Sequence, residues 1–85
     1  MASVIDEREK THGKYRTTAC VSQMLKGILR NFIDQKKVPA FQVESLEMIC
    51  VKIARILQGD CKFVDHWRDI AGYAELIVRE LERKP

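Results

Sequence analysis

The sequence predicts an all-α protein, a small helical bundle of three main helices plus a short N-terminal arm, completed by oligomerisation. Apolar residues recur at helical spacing through three long stretches of the chain. Four glycines and two prolines in 85 residues are too few for the many turns of a β-sandwich. A core in a domain this short supplies roughly 3–5 kcal/mol, so a partner subunit, a disulfide or a metal is a natural supplement.

The arm covers residues 1–16 and the single helical domain residues 17–85. In the arm, a charged run from Asp6 to Lys10 leads to Gly13, where a short or frayed helix ends. Thr17 and Thr18 can cap the first long helix, whose apolar face is Val21, Met24, Leu25, Ile28 and Phe32. Pro39 suits the first turn of the second, which runs from about Ala40 to Gln58. Its face carries Val43, Leu46, Ile49, Cys50, Ile53, Ile56 and Leu57, and Gly59 is placed to end it. The third starts near Asp65 and runs to about Arg83, with Trp67, Ile70, Ala71, Ala74, Ile77, Val78 and Leu81 on one face.

Composition is that of a soluble globular protein, with 46% hydrophobic and 32% charged residues. No apolar run is long enough for a signal peptide or a membrane span, so a cytoplasmic protein is expected. Residues 1–40 carry 8 basic and 4 acidic groups, and residues 41–85 carry 7 and 8. So mild an excess disfavours duplex nucleic acid and suits a phosphate-bearing small molecule better. Cys20, Cys50 and Cys61 form no C-x-x-C pair, which argues against a disulfide framework or zinc ribbon. Neither a nucleophile signature nor a glycine-rich phosphate loop is present.

Candidate functional residues lie on the second and third helices. On the second, Glu44 and Arg55 point away from the apolar face, while Glu47 and Lys52 flank it and can reach into a groove. The four together also read as an ordinary solvated face. On the third, Asp65, Asp69, Gly72, Tyr73 and Leu76 share the side away from the main apolar stripe. A helix-interior glycine costs roughly 1 kcal/mol against alanine, so Gly72 points to close approach of another group. Two acids beside Tyr73 suit a divalent metal with a nucleotide, and packing against a second subunit accounts for the same face. Trp67 falls in the apolar stripe and reads as core; His66 lies on a boundary without a Cys or His partner at ligand spacing, which disfavours zinc.

Three segments carry a resemblance: Arg8-Glu9-Lys10-Thr11-His12-Gly13, Lys52-Ile53-Ala54-Arg55, and Asp65 through Ala74 with its D-I-A-G-Y-A ending. They resemble R-E-K-x-[YH]-G, K-I-A-R and D-x-[WY]-x-D-I-A-G-Y-A of a family of small proteins encoded by tailed phages and prophages. That family is remotely similar to the MazG-like all-α nucleoside triphosphate pyrophosphohydrolases, whose acids hold Mg²⁺ and nucleotide phosphates. The resemblance maps their E-x-x-E and E-x-x-D patterns onto Glu44-x-x-Glu47 and Asp65-x-x-x-Asp69, the second with one residue more. It implies Mg²⁺ on Glu47, Asp65 and Asp69, phosphate neutralisation by Lys52, Arg55, Lys10 and Lys14, and base stacking on Tyr73 or Tyr15. The expected protein is a homo-oligomer in the host cytoplasm that binds a nucleotide phosphate with Mg²⁺, with or without hydrolysis. The alternative is a non-enzymatic phage protein that sequesters a signalling nucleotide or docks on a host protein to counter defence.

Overall fold

The computed structural model describes residues 3–83. They form four helices, α1 (Val4–His12), α2 (Tyr15–Phe32), α3 (Ala40–Gln58) and α4 (Val64–Glu82), and no strand. Within the amino-terminal arm, Val4–His12 form a helix. Ser3 Oγ accepts from the Asp6 N–H at 3.1 Å while Asp6 Oδ2 accepts from the Ser3 N–H at 3.2 Å, a reciprocal capping box. Gly13 ends α1 with φ of 80°, a conformation that favours glycine.

α2 begins at Tyr15, two residues before the expected caps. The hydroxyls of Thr17 and Thr18 donate backwards, to the carbonyls of Lys14 at 3.1 Å and His12 at 3.2 Å, so both threonines lie inside the helix. α3 spans the expected residues, with Pro39 as its N-cap. Gly59 follows it with φ of −113°, so its place depends on space rather than on a left-handed conformation. A Cβ there would stand 2.2 Å from the Thr11 carbonyl oxygen.

α3 is central. It packs α2 on one side and α4 on the other, and the backbones of α2 and α4 do not come near each other. The molecule measures 54 × 26 × 18 Å, long and thin rather than round. Its radius of gyration is 14.9 Å, against about 12 Å for a compact chain of this length. The three long helices thus form one layer, with α1 laid across one end.

A single layer buries little. Cys50, Ala54 and Ile56 are the buried apolar residues, and the seams are lined instead by Thr18, Ser22 and Ser45, whose small side chains let the helices approach. The apolar stripes read from the sequence exist, but one chain leaves much of them open, including Met24, Ile28, Phe32, Leu46, Leu57, Val78 and Leu81. Trp67 is not core. It is 54% exposed, and its indole N–H donates to the Cys61 carbonyl at 2.9 Å. His66, expected at a boundary, is the most enclosed large side chain, 1% exposed. No helix among the described residues is long and apolar enough to cross a membrane.

Candidate functional site

The three sequence segments singled out above converge where α1 docks against the end of α3 and the start of α4. The last carbonyls of α1 have no partner within the helix. That of Thr11 accepts from His66 Nε2–H at 2.7 Å and from the Asp60 N–H at 3.0 Å. His66 reaches it from the first turn of α4, with its ring packed edge-on between His12, at 4.7 Å between centroids, and Phe63, at 4.9 Å. Two glycines permit the close approach of backbones. A Cβ on Gly13 would meet the Gln58 carbonyl group at 2.8 Å, and one on Gly59 would collide with Thr11.

The Thr11 hydroxyl lies 3.1 Å from the Arg8 carbonyl and 2.6 Å from His12 Nδ1. Its single proton goes to the carbonyl, which has none to offer, so His12 donates from Nδ1–H and keeps a lone pair on Nε2. Burial lowers the His12 pKa from its ordinary value, and the positive charge of Arg8, then His66 and Arg55, pushes it further down. The imidazole is therefore neutral at pH 7.

Docking of α1 creates a cleft of about 340 Å³ lined by Arg8, Glu9, His12, Tyr15, Thr18 and Arg55. Among the described residues neither guanidinium takes part in an ion pair. The cleft also borders the start of α2, whose N-cap, Lys14, provides no side-chain cap to the first N–H groups. Two guanidiniums, the positive end of an 18-residue helix and one carboxylate make a net cationic hollow able to hold an oxyanion. A hollow of about 430 Å³ at the far end of the layer offers Arg30 balanced by Glu44.

Of the residues selected from sequence, Arg55 and Tyr15 meet in this cleft. Lys52 does not, being 8% exposed and bound to Asp69 Oδ2 at 2.9 Å across the α3–α4 seam. This hydrogen bond holds the Asp69 carboxyl below its usual range against an opposing desolvation, and the positive groups Lys52, His66 and Arg55 add to the depression. Lys10 pairs with Glu7 on the surface at 3.1 Å. Tyr73 lies elsewhere, in an open groove with Asp69, Gly72 and Leu76. Nothing approaches Gly72 within one chain: a Cβ there would meet no atom within 4 Å.

The acids do not assemble. Asp65 leans on Arg68 at 3.6 Å, Asp69 is held by Lys52, and Glu47 stands half-buried on α3 beside Cys50. Among the described residues no three His, Cys, Asp or Glu side chains are placed together to hold a metal ion, and Asp65 and Asp69 each turn to a different basic partner. Burial raises the Cys50 thiol pKa, and Cys20 and Cys61 are exposed, free thiols. Arg8, His12 and His66 are the residues that helical periodicity did not select.

The profile of a family described as a domain of unknown function, DUF6378, matches residues 1–81. The chain belongs to the DUF6378 family. No curated protein and no solved structure matches it. The matched span takes in every element of the junction, so the docked α1 and the cleft beneath it lie within the DUF6378 domain itself.

Proposed function

We propose that this DUF6378 protein binds the phosphate of a nucleotide, or of a related small molecule, in the cleft between α1, the start of α2 and the end of α3. The observation that carries the reading is the meeting of Arg8 and Arg55 in one hollow, without a paired carboxylate among the described residues. Guanidiniums bind phosphate oxygens in pairs of parallel hydrogen bonds, and such charge-assisted bonds are about twice as strong as neutral ones. Neutral His12 and Thr18 line the same wall, but their protons are already given to Thr11 and to the His12 carbonyl, so the two guanidiniums are the donors that face the ligand. The Tyr15 ring, exposed at the rim, is available to stack on a base.

This reading favours binding over turnover. The phage-type, MazG-like reading calls for carboxylates gathered around Mg²⁺, whereas the cleft of one chain holds two guanidiniums and a neutral imidazole against the single carboxylate of Glu9. Sequestration of a signalling nucleotide is the activity such a site serves best. A thermal-shift panel of nucleoside mono-, di-, tri- and cyclic phosphates, each with Mg²⁺ or with a chelator, tests it. A ligand at 100 times its Kd adds about 2.7 kcal/mol, enough to raise Tm by about 10 °C or more in a domain this small. A shift in chelator supports the reading; one that requires Mg²⁺ favours the hydrolase, and no shift with any phosphate compound rejects both.

A further inference from the structure

We propose that two copies of this chain pair through the apolar face of the helical layer opposite the phosphate cleft, each supplying the second layer that the other lacks. Two groove linings show that the stripes of α3 and α4 lie on one face. Leu46 and Ile49 of α3 share a groove of about 250 Å³ with Ala74 and Ile77 of α4. On the other face, Asp69, Gly72, Tyr73 and Leu76 line the opposite side of α4.

The same logic places α2. Its Thr18 and Ser22 are buried in the seam with α3, Tyr15 faces the phosphate cleft, and Arg30 and Ile33 line a hollow with Glu44. Helical geometry then turns Met24 and Ile28 towards the face that holds Leu46. Trp67, Val78 and Leu81 continue it along α4, and all six of these large side chains are exposed in one chain. None of the three stripes contains a charged residue.

The area selects the occupant. The chain exposes 6729 Å², whereas a folded monomer of 9.9 kDa exposes about 5,200 Å². The excess of about 1,500 Å² per chain doubles to about 3,000 Å² for a pair, within the range of obligate homodimers, roughly 2,000–5,000 Å². A face without charges asks for no complementary pattern and matches its own copy about a two-fold axis. Domains are built from at least two packed layers, and a second copy is the layer already at hand. Because Arg8 and Arg55 lie on the other face, pairing leaves the phosphate cleft open, and failure of either proposal leaves the other standing.

Trp67, the sole tryptophan, sits on the proposed interface and reports on it. Light scattering of the full chain at tens of micromolar is expected to give twice 9.9 kDa with blue-shifted indole emission. Dilution should halve the mass and shift emission to the red together. Ala74→Glu should raise the dimer Kd roughly 100-fold or more, as an unpaired charge enters the contact, while Leu76→Glu, on the other face of α4, should leave the mass unchanged. If Ala74→Glu does not fold, the wild-type dilution series decides. If the pair resists dilution, the emission of the intact pair decides, and that of a water-exposed indole overturns the proposal. A helical particle of one chain, an assembly other than two, or a pair unaffected by Ala74→Glu likewise overturns it.

Discussion

His66 Nε2 donates to the Thr11 carbonyl at 2.7 Å across 55 residues of sequence, fastening the amino-terminal helix to the start of α4. The His66 ring is enclosed, the bond is part-buried, and it shares its acceptor with the Asp60 N–H. His66→Ala removes one of the two donors and leaves a cavity, a cost of roughly 2–4 kcal/mol. Amide exchange in residues 4–13 is expected to accelerate far more than in α3. Equal acceleration along the chain would show that His66 supports the whole layer rather than the docking of α1.

The junction should also respond to pH. The folded pKa of His12 lies below the ordinary histidine value of about 6.5, so between the two values the unfolded chain binds the proton that the folded one refuses. Stability from this group is complete above about pH 6.5 and is lost as pH falls through the lower, folded value. Proton NMR should find the His12 ring titrating below the free imidazole, and His12→Gln should flatten the stability profile in that window.

The Lys52–Asp69 pair predicts an asymmetry. Lys52→Met leaves a carboxylate that is nearly half exposed and can return to water, and should shift stability by less than about 1 kcal/mol. Asp69→Ala strands a buried ammonium without its counter-ion and should lower Tm by several degrees. Because the Asp69 pKa is depressed when folded, the pair's contribution is present above the unfolded value of about 3.9 and disappears as pH falls through the folded one. Thermal melts of the two variants from pH 3 to 8 check both statements.

Two glycines should behave in opposite ways. At Gly59 a methyl group meets the Thr11 backbone, so Gly59→Ala should undock α1. At Gly72 it meets nothing, and Gly72→Ala should stabilise α4 by roughly 1 kcal/mol, about 4–8 °C in Tm. A loss at Gly72 would mean that another molecule covers it.

Helical periodicity identified the bounds of α3 and the residues that share each apolar stripe, because both are local properties of the chain. It did not reveal whether a stripe is covered, so Trp67 read as core and is half exposed in one chain. Lys52 and His66 were misplaced for a related reason. Their burial comes from Asp69 and Thr11, partners in other elements that no spacing within a helix encodes. The candidate site was legible only in part. Arg55 and Tyr15 were selected for their chemistry, whereas Arg8 and His12 acquire a place only once Gly13 and Gly59 let α1 lie against α3.

The most direct test is calorimetric titration of inorganic phosphate and nucleoside phosphates into the wild-type chain and its Arg8→Ala and Arg55→Ala variants, in a chelating buffer. The expected result is saturable binding of at least one phosphate compound, weakened about 10- to 100-fold by each substitution, as loss of a hydrogen bond to a charged group implies. Folded wild-type protein that binds none of them, or variants that bind as tightly as wild type, would contradict a phosphate site in the α1–α2–α3 cleft.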